Sequence, residues 1–234
     1  MGSPSLAGFG YPLVLRNLLG EGIQDMRGSM DAKVALAFAI AHEVGNHLGG
    51  IRLQAHLLDD ELSSRALASA SVLIDDLAGR AGPLLALLRP LLSEAGRGAG
   101  GARWGEILRR VQRQVEDEGT RGVLFEIEGD LDTERDVPEL DWLHSLLVAL
   151  IGATLVRMSR KQELKVQLTI APRETLLVLL DDGTEEDFDE EAAPRGRPLV
   201  ISIARELLFP TGGRVETSRE GGVTQVRLSW PAFG

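Results

Sequence analysis

No cysteine occurs in the 234 residues, so disulfides, thiol nucleophiles and cysteine-bound metals are excluded. Aromatic residues are only 4% of the chain. The core must therefore be built from Leu, Val, Ile and Ala, which favours helix seams over an aromatic core. Basic residues are outnumbered 25 to 35, for a net charge of −10. That balance argues against nucleic-acid binding, where phosphates must be neutralised by basic patches. No apolar run approaches the roughly 20 residues that span a bilayer. The N-terminus has no basic stretch followed by an apolar core, so membrane insertion is not expected and a cytoplasmic location is.

What is present begins with helical periodicity. Val34, Ala41, Leu48 and Ala55 form one seam, and Ala37, Val44, Ile51 and Leu58 form another. A repeat of about 3.5 residues suits a helix in a coiled-coil-like bundle. Residues 1–30, which hold an apolar patch from Leu13 to Ile23, read as an N-terminal tail or a leader helix. The polar turn Asp59-Asp60-Glu61 leads to a second seam through Ala66, Ala70, Leu73, Leu77, Ala81, Leu84, Leu88 and Leu91. The two runs predict an antiparallel helical hairpin over 31–95. A lone hairpin cannot bury both seams, so a homodimer forming a four-helix bundle is expected. Pro83, inside the second run, predicts a kink.

Residues 96–102 are a Gly-rich linker, after which the period changes. Trp104–Glu118 reads as an amphipathic helix, 122–127 as a strand and 140–158 as a long buried helix. Strands over 164–170 and 175–180, a helix over 199–208 and a hairpin over 214–218 and 223–229 complete the chain. The expected fold class is α+β: a helical hairpin followed, over 103–234, by a two-layer α/β sandwich.

His42 follows the seam position Ala41, so it lies at the edge of the buried stripe, with Asn46 one turn further on. Gly45, Gly49 and Gly50 lie nearby, each about 1 kcal/mol worse than Ala inside a helix. They suit either close helix packing or a shallow docking surface. His42 and His47 are not a zincin pair, because a spacing of five rotates the second ring by about 140°.

The stretch His42-Glu43-Val44-Gly45-Asn46 resembles the H-box of two-component sensor histidine kinases. In that family the phosphoacceptor His is followed by an acid and, four residues on, by Asn or Thr. The family's Pro at the fifth position is His47 here. The hairpin resembles the family's dimerisation and phosphotransfer domain. The sandwich resembles its Bergerat-type ATP-binding domain, with a second match at 201–208 followed by Gly212-Gly213 and Gly221-Gly222. The resemblance implies that His42 is the phosphoacceptor, that Glu43 orients its ring and that Asn46 positions a water or a receiver's acyl phosphate.

The nucleotide boxes depart from the pattern. Ala149 and Ala153 align with the two Asn of the family's N-box, and neither can hold a metal. Asp181 matches the adenine-contacting Asp and Gly183 the first glycine of the next box, but Glu185 replaces its second. Gly196-Arg197-Pro198-Leu199-Val200-Ile201 keeps one glycine of three. Such glycines let backbone N–H groups approach phosphates. Asp181, Gly183 and Gly196 are thus remnants of a degenerate pocket. Acids crowd residues 181–191 between these boxes. Like charges 4 Å apart repel by about 4 kcal/mol even at an effective dielectric near 20.

The resemblance is closest to dimeric, kinase-derived histidine phosphotransferases. It implies a protein that exchanges a phosphoryl group between His42 and the Asp of response-regulator receiver domains. No cofactor and no metal are expected on this chain, ATP binding is not expected, and magnesium comes with the receiver. The alternatives are a sensor histidine kinase with an atypical ATP pocket, a non-enzymatic receiver-binding module, and a receiver phosphatase acting through Asn46.

Overall fold

A computed structural model describes residues 30–59, 64–92, 103–120, 122–132, 142–183 and 194–231. The N-terminal tail or leader, the Gly-rich linker and most of the acidic run (184–193) lie outside the described residues.

Two long helices form the hairpin: α1 (Met30–Asp59) and α2 (Ser64–Leu92). Helix α2 runs through Pro83 and Pro90 as one element. Helix α3 (Trp104–Glu118) follows, then β1 (Leu124–Gly129), α4 (Leu143–Leu155), β2 (Glu163–Ile170) and β3 (Glu174–Asp181). Helix α5 (Gly196–Leu208), a 3-10 turn, β4 (Arg214–Glu220) and β5 (Val223–Pro231) complete the fold. The five strands lie in the order β1-β2-β3-β5-β4, with β1 parallel to β2 and every other pair antiparallel.

The architecture is α+β, with helices packed on a mixed sheet. Leu164, Val166 and Leu168 on β2, and Leu177 and Leu179 on β3, turn inward at the period of two that the pleat imposes. Thr175 and Asp181 share that inward row, so β3 carries a carboxylate into the edge of the core. Helix α4 is buried nearly all round because α2, α3 and α5 flank it. Trp104 meets Trp230 edge to face at 5.1 Å, tying α3 to β5.

The buried stripe of α1 differs from the expected heptad. Leu36, Ile40 and Val44 are buried; of the second expected seam Val44 is buried and Ala37 and Ile51 half-buried, whereas Val34, Ala41, Leu48 and Ala55 of the first are exposed. The reason is that the hairpin is not alone. Helix α2 packs on α4 and α5, and α1 packs on α5. Leu84, Leu87 and Leu91 of α2 belong to one continuous core with the sandwich. Burying a side chain such as Leu87 contributes about 1.5–3 kcal/mol. The chain's own sandwich thus covers part of the apolar surface that was expected to require a second copy.

Helix α5 starts three residues earlier than its apolar pattern. Pro198 falls in its first turn, where a missing N–H costs nothing because that donor has no partner within the helix.

Candidate functional site

His42 stands exposed on α1. The 3.6-residue turn brings Asn46 onto the same face, and Asn46 Nδ2 lies 3.3 Å from His42 Nδ1. With the amide in this sense, Nδ2 donates to Nδ1 and the ring proton sits on Nε2. With the amide turned over, Oδ1 accepts from Nδ1–H and the Nε2 lone pair is free to attack. Asn46 can therefore hold the ring in either tautomer.

Glu43 is placed elsewhere. It was expected to hold the second ring nitrogen of His42. Its carboxylate instead lies 4.0 Å from His47 Nε2, one turn along α1. Successive helix positions point about 100° apart, so Glu43 turns towards the hairpin interior while His42 faces out. His47 is inside with it and faces the ion pair Arg80–Asp76 of α2. Burial, helped by Arg80, holds the His47 pKa below its usual value, against the opposite pull of Glu43 and Asp76.

The glycines beside His42 divide into two kinds. A Cβ on Gly50 would come within 2.8 Å of Leu77 Cδ1, so Gly50 permits close approach of α1 and α2. A Cβ on Gly45 or Gly49 would meet nothing within 4 Å. Packing within the chain does not require these two. They leave a shallow, open strip next to His42, bordered by the exposed apolar residues Phe38, Leu48 and Leu53.

At the sandwich the residues close on one another. Asp181 and Arg197 are each only 3% exposed, and Arg197 Nη1 donates to Asp181 Oδ2 at 2.6 Å. Asp181 Oδ1 accepts from Gly183 N at 3.2 Å. Both carboxylate oxygens therefore have partners from the chain itself. Gly183 leaves no room for a side chain, since a Cβ there would lie 2.9 Å from Asp181 Oδ1. The turn is pinned from outside as well. Arg219 Nη2 donates to Gly183 O at 3.1 Å, Gln162 Nε2 to Asp182 O at 2.8 Å, and Glu163 N to Asp182 Oδ1 at 2.9 Å. Gly196 opens α5 with φ at +55°, a left-handed value that glycine adopts freely.

Ala149 is buried in α4 and Ala153 packs against the core, each offering only a methyl group. A cleft of about 40 Å³ lies among α2, α3 and α4, lined by Asp76, Arg80, Val115 and Gly152 among others. It is far smaller than the roughly 300–1,000 Å³ of small-molecule sites. Among the described residues no three or more His, Asp or Glu are grouped to hold a metal ion, and no helix is long and apolar enough to cross a membrane.

Two parts of this arrangement escaped sequence reasoning. The Asp181–Arg197 pair joins residues 16 apart, and Arg197 falls at the variable position of its box, where nothing in the sequence marks it. The His47–Arg80 proximity spans the hairpin and depends on helix register.

No protein-family model matches the chain, and no curated protein matches it. Likeness appears in three dimensions. The chain superimposes on the Acinetobacter baumannii histidine kinase AdeS with a TM-score of 0.59 at 14% identity, covering 81% of this chain and 97% of that one. It superimposes on a bacterial phosphotransferase with a TM-score of 0.53 at 17% identity, covering 86% and 97%. What is shared at such identities is the fold, an α+β arrangement of helices on a mixed sheet of the kind seen in histidine kinases.

Proposed function

We propose that the chain is a histidine phosphotransferase of a two-component phosphorelay. His42 Nε2 attacks the phosphorus of an aspartyl phosphate on a receiver domain. The N–P bond forms as the P–O bond to the Asp breaks, and the carboxylate leaves with the electron pair. The reverse step passes the group to the Asp of another receiver. Asn46 holds Nδ1 and so keeps Nε2 aimed outward. The open strip at Gly45 and Gly49 admits the receiver, which brings its own magnesium.

The observation that carries this reading is the contrast between the two halves. An exposed histidine has a positioning partner one turn away, while the sandwich carries alanines and a closed ion pair at positions that match the family's nucleotide boxes. Two alanines stand where a metal ligand is needed, and Arg197 occupies the carboxylate that would read the base. His42 must then be charged from another protein. A second copy of the chain, packed along the exposed seam of Val34, Ala41 and Leu48, completes a four-helix bundle in this reading.

The test is incubation with a phosphorylated receiver, followed by a search for acid-labile label. Label on His42 from the receiver, absent in His42→Ala and absent with Mg-ATP alone, is the expected result. A histidine kinase with an atypical pocket is the second reading, favoured by the overlap with the AdeS structure over 97% of that chain. Label on His42 from ATP alone would establish it in place of the first.

A further inference from the structure

The Asp181–Arg197 pair does more than leave a nucleotide without a partner. Ionised side chains as buried as these are rare unless paired, and here each is 3% exposed. The carboxylate sits at the end of β3 and the guanidinium at the start of α5, so the pair joins the sheet to a helix packed on it. The carboxylate end is rigid. Gly183 N holds Oδ1, and Arg219, Gln162 and Glu163 fix the turn that follows. A pre-shaped carboxylate, closed off from water and answered by a planar cation, has the chemistry of a ligand site.

We propose that Asp181 is a binding site for a planar N–H-bearing cation and that Arg197 is its resident ligand. The site prefers guanidinium or amidinium groups, because a delocalised planar cation is more weakly hydrated than an ammonium and is buried at lower cost, while one N–H meets Oδ2 and Oδ1 is held by Gly183 N. While Arg197 is in place, no external molecule reaches Asp181. The sandwich is thereby closed to ligands that present an amino-bearing ring edge, nucleobases included. The proposal rests on the ion pair and not on phosphotransfer, which labelling of His42 tests separately.

Arg197→Ala should empty the site and leave the buried carboxylate without its counter-charge, lowering Tm by about 10 °C. Methylguanidinium at low millimolar concentration should then raise Tm saturably and recover about half of the loss. Methylammonium at the same concentration should not. Wild-type protein should respond to neither cation, nor to adenosine. Equal rescue by methylammonium, or no rescue by methylguanidinium, overturns the proposal, as does stabilisation of the wild type by adenosine. If Arg197→Ala does not fold, Arg197→Gln, which keeps a neutral donor of shorter reach, is titrated in the same way. The Asp181→Asn/Arg197→Ala protein should lose the rescue altogether, and rescue that survives there overturns the proposal.

Discussion

Asn46 Nδ2 lies 3.3 Å from His42 Nδ1, and this contact is made entirely on the exposed face of one helix. It therefore adds little to stability and fixes where the imidazole points. One hydrogen bond of about 1–1.5 kcal/mol corresponds to roughly a tenfold change in rate when it is needed only to aim the ring. Asn46→Ala is expected to slow receiver-dependent labelling of His42 about tenfold while moving Tm by no more than about 1 °C. Quench-flow labelling and a thermal melt on the same preparation check both parts. A receiver phosphatase acting through Asn46 would show a different outcome: dephosphorylation slowed with transfer unchanged.

Gly45 and Gly49 separate stability from docking. A methyl group at either position meets open space, so Ala should stabilise α1 by about 0.5–1 kcal/mol each through its better helix propensity. A methyl at Gly45 also stands in the strip beside His42. Gly45→Ala is expected to raise Tm by about 2–4 °C and to slow transfer from a receiver. Gly50→Ala must displace Leu77 and should not show the gain. A Gly45→Ala protein that is both more stable and fully active would show that receivers dock elsewhere.

His47 gives the hairpin a pH dependence whose sign follows from burial. Its folded pKa is lowered, first by desolvation and then by Arg80, against Glu43 and Asp76. Below the usual value of 6.5 the unfolded chain takes up a proton that the folded chain does not. Stability is thus fully present above pH 6.5 and is lost as the pH falls towards the lowered folded value. His144, lowered by burial beside Arg110, acts in the same direction. The wild type should lose Tm between pH 6.5 and 5, and His47→Gln should lose less over that interval. Parallel curves for the two proteins would remove His47 from the account.

The strands and the sandwich helices were legible because their patterns are local. A period of two marks the inward rows of β2 and β3, and the apolar stripe of Ile107, Leu108, Val111 and Val115 marks α3. The face of α1 was less so. Its sequence supports the 34/41/48/55 and 37/44/51/58 seams and the 36/40/44 stripe alike, and only contact with α2 and α5 decides which is buried within the chain. That His42 and Asn46 share a face was legible because four residues make about one helical turn. Arg197 was not, because its meaning depends on β3 ending opposite the start of α5. That juxtaposition belongs to topology and leaves no periodic trace.

The seam left exposed on α1 makes the last prediction. Phe38 is 63% exposed and Leu48 56%, with Val34 and Ala41 on the same side. On α2, Leu85 and Leu92 are also exposed. Exposed apolar residues grouped on one side of a helix are costly in water and commonly mark an interface. A second copy would cover them by the knobs-into-holes packing that a repeat of about 3.5 residues specifies. Leu48→Glu places a charge in that seam without touching the stripe of Leu36, Ile40 and Val44 that the chain buries for itself. It is expected to sediment as a folded monomer where the wild type sediments as a dimer, with an unchanged far-ultraviolet spectrum. Phe38→Glu should behave alike. A wild type that is monomeric at micromolar concentration would leave the exposed seam to the receiver, and Leu48→Glu would then weaken receiver binding instead.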